Sequence, residues 1–185
     1  MVKTIHSILF LFATNSFSAI NEGELTPENS SKKVSAKILY CSDGDTCRVK
    51  VGEGNIWFNA RLFGIDAPET AKSRRKTPGQ PFGDQAKNYL NEAIQGKEVL
   101  ILQTDLDPFN RPVIEIYLPA IAKQLETNIN LKLIEEGYAE VYRGKTKRID
   151  KQPYFDAETT AKSKKLGIWS QKDYQSPSSF RKGNH

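Results

Sequence analysis

Apolar and polar residues change rhythm several times along this chain, and each change predicts an element. Val34, Ala36, Ile38 and Tyr40 alternate with Ser35, Lys37 and Leu39, a period of two that predicts a strand with one face toward a core. The turn Ser42-Asp43-Gly44-Asp45 and the return Arg48-Val49-Lys50-Val51 make a hairpin, and a glycine-containing turn over 52–55 leads into a third strand over 56–65. Ala86, Tyr89, Leu90, Ala93 and Ile94 then recur at helical spacing, and Gly96 ends that helix. Two further strands, 98–103 and 113–118, flank a polar turn over 104–112. A second helix is predicted over about 127–136 with Gly137 as its stop. A third starts near Pro153, places Tyr154, Ala157 and Ala161 on one face, and ends at Gly167. Five short antiparallel strands with a helix after the third predict an α+β domain, a five-stranded barrel of the OB type with three helices.

The flanks read differently. Lys3, an apolar stretch over 5–14 and the small residues Ser16, Ser18 and Ala19 have the anatomy of a secretory signal peptide over 1–19, and the stretch is short for a bilayer span. Residues 20–33 are polar and turn-rich, a flexible lead-in to a domain expected over 34–170. The polar segment 171–185 reads as a loose tail. The expected location is therefore secreted or periplasmic, with no membrane attachment unless the leader stays uncleaved.

Charge sharpens this only a little. Lys and Arg number 27 against 22 Asp and Glu, a net +5 that suits a polyanionic partner without naming one. The two histidines, His6 and His185, fall in the leader and the tail, which excludes histidine-based catalysis in the domain.

Two clusters carry chemistry. Asp43-Gly44-Asp45-Thr46 at the hairpin is on its own explained by turn formation, and it lacks the ligand pattern of an EF-hand. Arg61-Leu62-Phe63-Gly64-Ile65-Asp66-Ala67-Pro68-Glu69 is harder to explain structurally. A charge at Arg61 inside an apolar strand needs an anionic neighbour or a cleft. Two carboxylates and an arginine at one strand end suit metal-assisted attack on phosphate: carboxylate oxygens hold a hard cation, a carboxylate activates water, and a guanidinium grips phosphate in two places.

Taken in order, DGDT, RLFGIDAPE, Asp107-Pro108-Phe109-Asn110-Arg111 and Leu166-Gly167-Ile168-Trp169 resemble the thermonuclease, or staphylococcal nuclease-like, family over residues 34–170. The resemblance implies a calcium-dependent phosphodiesterase acting on DNA or RNA, breaking the P–O5′ bond and leaving 3′-phosphates. It implies Asp45 and Asp66 as calcium ligands, joined by the backbone carbonyl of Ala67. It implies Glu69 as general base, and Arg61 and Arg111 as the pair that holds the scissile phosphate, with Asp43 supporting the metal site from behind. The turn before Arg111 departs from the best-known members, which carry Lys, Tyr and Gly where this chain has Pro108, Phe109 and Asn110. Their later pocket tyrosines are missing too, so Tyr142 is the aromatic expected at the nucleotide, with Arg143 and Lys145 offering phosphate contacts.

Lys72, Arg74, Arg75 and Lys76 form a basic loop directly after Glu69, expected to track the phosphate backbone. Cys41 and Cys47 flank the Asp43–Asp45 turn. In a reducing compartment they would be two small core residues; behind an export leader a disulfide across the hairpin is expected. A monomer with no stable protein partner is expected. Two other readings stay open at this level: a non-catalytic nucleic-acid-binding module, and an envelope-anchored interaction protein.

Overall fold

The computed structural model describes residues 32–54, 56–72, 77–120, 125–145 and 150–183. The expected leader, most of the lead-in, and Arg74, Arg75 and Lys76 lie outside the described residues. Strands β1 (Val34–Asp43), β2 (Thr46–Val51) and β3 (Trp57–Leu62) form the antiparallel meander. On its other edge β1 pairs with β5 (Glu98–Leu106), and β5 pairs with β6 (Pro112–Leu118). β6 then lies parallel to β3, Arg61 opposite Val113 and Leu62 opposite Ile114, which closes the barrel. The barrel is thus mixed rather than wholly antiparallel. Five is an odd number, so strand direction cannot alternate all the way round a closed ring, and one neighbouring pair must run the same way.

Ile38, Val49, Ala60, Leu62, Ile101, Ile114 and Ile116 are buried in one cluster with Leu90 and Ile94 of α1 (Gly83–Ile94) and Leu133 and Ile134 of α2 (Ile129–Glu135). Fully burying each of the Ile, Leu and Val side chains contributes about 2 kcal/mol. The alternation predicted for β1 holds at Ala36 and Ile38 and then changes phase. A bulge between Ile38 and Tyr40 leaves Tyr40 exposed and turns Cys41 inward. The single strand expected over 56–65 is two. Gly64 adopts φ 76°, the chain turns there, and β4 (Ile65–Asp66) pairs instead with β8 (Glu140–Val141).

The second helix starts later than its pattern suggests. Thr127 and Asn128 form a short strand, β7, on β6, and the Asn128 side chain accepts from the Leu131 amide as the helix cap. The third helix, α3, spans Gln152–Ser163. The tail expected to be loose holds a fourth helix, α4 (Pro177–Gly183). Its segment is fastened by Tyr174, whose hydroxyl donates to Glu140 at 2.7 Å, and by Gln80 Nε2 donating to the Gln175 carbonyl at 3.1 Å. Those partners are distant in sequence, so polar composition alone hides them.

Asn130 ties the barrel seam to α2. It is fully buried, accepts from the Ile116 amide at 3.0 Å, and donates to the carbonyls of Phe63 and Ile114 at 3.0 and 2.9 Å. Replacing it removes a partner from three backbone groups in the core, of which the Ile114 carbonyl keeps the Phe63 amide at 2.7 Å. Asn130→Ala is expected to cost about 3 kcal/mol, read as a lower urea midpoint at unchanged slope. A midpoint equal to the parent's would show that the seam holds without it.

Candidate active site

The site lies where the β1–β2 hairpin, the end of β3, the segment after β4 and the β5–β6 turn converge on a cleft of about 670 Å³. Cys41 and Cys47 face each other across the hairpin and are joined as a disulfide just below the turn. Gly44 at the turn has no room for a side chain, because a Cβ there would lie 2.7 Å from that of Ala67 and 2.9 Å from that of Ala86. This contact seats the hairpin directly on the segment that follows Asp66. Asp43 then locks the two together, its Oδ1 accepting from the amides of Gly44 and Thr70, both at 3.2 Å.

Asp45 and Asp66 are almost wholly buried. Arg61 lies between them, its Nη2 3.0 Å from Asp45 Oδ2 and 3.0 Å from Asp66 Oδ1, the anionic company that a charge in this strand requires. Ala67 is buried beneath the hairpin. Glu69 is held by its backbone: its amide donates to Gln80 Oε1 at 3.1 Å and its carbonyl accepts from the Gln80 amide at 2.8 Å. Gly83, at the start of α1, packs so closely that a Cβ would overlap the Glu69 carbonyl. The Glu69 carboxylate reaches the cleft, where Lys72 meets Oε2 at 2.8 Å and also approaches Asp43 at 3.5 Å.

Arg111 enters from the β5–β6 turn. Asp107 Oδ1 accepts from the amides of Phe109 and Arg111, both at 2.9 Å, and Oδ2 accepts from Arg111 Nε at 2.7 Å. Asn110 takes the left-handed conformation, φ 60°, which asparagine tolerates better than most side chains. That explains why it stands where the best-known thermonucleases carry glycine. Phe109 at the tip is 80% exposed and lines the cleft mouth. Tyr142 and Lys145 also line the cleft, whereas Arg143 is paired with Glu158 at 2.6 Å.

The residues expected to act together, Asp45, Arg61, Asp66, Glu69 and Arg111, are therefore gathered at one end of the barrel, with Lys72 and Tyr142 beside them. Two participants were not singled out as site residues by pattern. Asp107 orients Arg111, and its place four residues earlier across a Pro-Phe-Asn turn was a usable signal. Arg181 of α4 donates from Nη1 to Asp66 Oδ1 at 3.0 Å and Glu69 Oε1 at 2.9 Å, and from Nη2 to Asp66 Oδ2 at 2.8 Å. It lies 115 residues beyond Asp66. No local pattern points to it.

The electrostatics follow from crowding. Burial, with help from Asp45 and Glu69, pushes the Asp43 carboxyl up to about 6. Burial also raises Asp45, outweighing the Arg61 guanidinium, and Asp66 and Glu69 add to the rise. Burial alone would raise Glu69 as well, but the hydrogen bonds from Lys72 and Arg181 bring it below the usual range. Burial opposes the charge on Arg61, and Asp45 and Asp66 more than restore it. Asp45 and Asp66 thus offer buried carboxylate oxygens, a donor type that suits a hard divalent cation.

Comparison with known proteins agrees with this geometry. The profile described as "Staphylococcal nuclease homologue" matches residues 59–171. "Micrococcal nuclease" of Shigella flexneri is 33% identical over 151 residues, 80% of each chain. "Endonuclease Htp3" of Saprolegnia parasitica is 28% identical over 180 residues, 89% of this chain and 83% of its own. "Probable endonuclease LCL3" of Kluyveromyces lactis is 34% identical over 127 residues, and this chain spans 46% of its length. With the profile covering more than half of its residues, the chain belongs to the staphylococcal nuclease homologue family.

Proposed function

We propose that the chain is a calcium-dependent nuclease, a phosphodiesterase that hydrolyses DNA or RNA at the P–O5′ bond and leaves 3′-phosphates. The observation that carries this reading is one cleft lined by Asp45 and Glu69 together with Arg61 from β3 and Arg111 from the β5–β6 turn. Membership of a nuclease family and the names of the relatives support the same reading.

Asp45 and Asp66, with the Ala67 carbonyl, would hold Ca²⁺, which when bound supplies Lewis-acid polarisation of a phosphoryl oxygen. Glu69 is ionised at neutral pH and takes the proton of the attacking water. Its Gln80 and Gly83 supports fix the height at which the carboxylate stands in the cleft. Arg61 and Arg111 present guanidinium groups to the phosphorus as it gains negative charge, an electrostatic contribution needing no proton transfer. Arginine keeps its proton near neutral pH, so Arg111 acts as a clamp and water or solvent supplies the leaving oxygen's proton. Phe109 and Tyr142 offer ring faces for bases at the mouth, which suits a flexible single strand with little sequence preference. The Cys41–Cys47 disulfide supports an oxidising destination, secreted or periplasmic.

Cleavage of single-stranded DNA by the purified protein in Ca²⁺, repeated in EGTA, tests this reading. Activity is expected with calcium and lost with the chelator, and Glu69→Gln is expected to lower kcat by about 10² to 10⁴. Cleavage indifferent to both changes would overturn the proposal, and no cleavage under any condition would favour a binding module. Asp107→Ala frees the Arg111 side chain and is expected to lower kcat/KM by about 10²-fold, while circular dichroism remains that of the parent. Unchanged kinetics would show that Arg111 needs no such support.

A further inference from the structure

The Arg181 guanidinium stands where the proposed chemistry needs free oxygens. Its fork takes both Asp66 oxygens and Glu69 Oε1, while Arg61 shares Asp66 Oδ1 and Lys72 holds Glu69 Oε2. Every carboxylate oxygen of these two residues is thereby engaged by a cationic side chain. A bidentate, charge-assisted contact of this kind is among the stronger side-chain interactions. The helix that delivers it is tethered: Pro177 is buried, the Tyr174 ring packs 4.8 Å from that of Trp169, and Tyr174 and Gln175 are hydrogen-bonded to Glu140 and Gln80. The family profile matches residues 59–171, and α4 follows that match.

We propose that α4 is an autoinhibitory plug, in which Arg181 substitutes for the divalent cation and must be displaced before cation and substrate can engage. This rests on reading Asp45 and Asp66 as the cation site. A guanidinium on both oxygens of a carboxylate leaves a divalent ion only the remaining lone pairs, and two positive groups so close repel. The same contact covers the oxygen of Glu69 that would otherwise face water. Closed and open forms are then in competition, and the closed fraction weakens the apparent cation affinity in proportion. By linkage, the cation loosens the arm as much as the arm weakens the cation.

Isothermal titration of Ca²⁺ into the full-length protein without nucleic acid, at fixed ionic strength, tests the plug apart from catalysis. Arg181→Ala and Arg181→Gln are each expected to bind Ca²⁺ at least about tenfold more tightly than the parent, as for a closed state populated about 90% of the time. Lys182→Ala removes the same charge from an exposed neighbour and is expected to leave affinity unchanged. Equal or weaker binding by the Arg181 variants overturns the plug, as does equal tightening by Lys182→Ala. If those results come with normal calcium-dependent cleavage, the nuclease reading stands and only the plug falls. Binding of Ca²⁺ by none of the proteins overturns the plug together with the cation site.

Discussion

Asp43, Asp45, Asp66 and Glu69 are brought to one end of a small barrel, and their mutual repulsion is the constraint to which the surrounding structure answers. Two like charges 4 Å apart repel by about 4 kcal/mol at an effective dielectric of 20, so such a group persists only among compensating cations and hydrogen-bond donors. Arg61 is placed inside a strand for this reason, and Lys72 and Arg181 arrive from a loop and a terminal helix for the same one. Asp43 is the least compensated by cations. It spends one oxygen on backbone amides instead and becomes a strut between two segments of the site.

Scaffold and chemistry meet at residues with no reactive group of their own. Gly44, Ala67 and Ala86 are small because hairpin, loop and helix touch there, and Gly83 is small because α1 begins against the Glu69 carbonyl. Their sizes set the depth at which the carboxylates sit. Asn130 plays the corresponding part at the seam, its side-chain amide bonded to backbone groups of Phe63, Ile114 and Ile116 where β6 closes on the end of β3.

Much of this was legible in the residues. Hydrophobic period located the five barrel strands and the first three helices, because each buries one face. The order of DGDT, RLFGIDAPE and the turn before Arg111 located the residues that converge in the cleft. What was not legible depended on contacts distant in sequence or on local backbone irregularity. The bulge that reverses Tyr40 and Cys41 leaves the composition of the strand untouched. The break at Gly64 is visible only once β4 finds β8. Arg181 sits in a segment whose polarity suggests solvent, and its role follows from the tether at Tyr174 and Gln175.

The Cys41–Cys47 link spans only six positions, whereas Arg61 and Val113 must meet across the barrel seam. Short-range closure has the smaller entropic cost, and distant pairings come at the slow end of assembly. Once formed, the covalent bridge holds Cys41 opposite Cys47 whether or not the ring is closed. The turn that presents Asp45 thereby keeps its register independently of the parallel seam between β3 and β6.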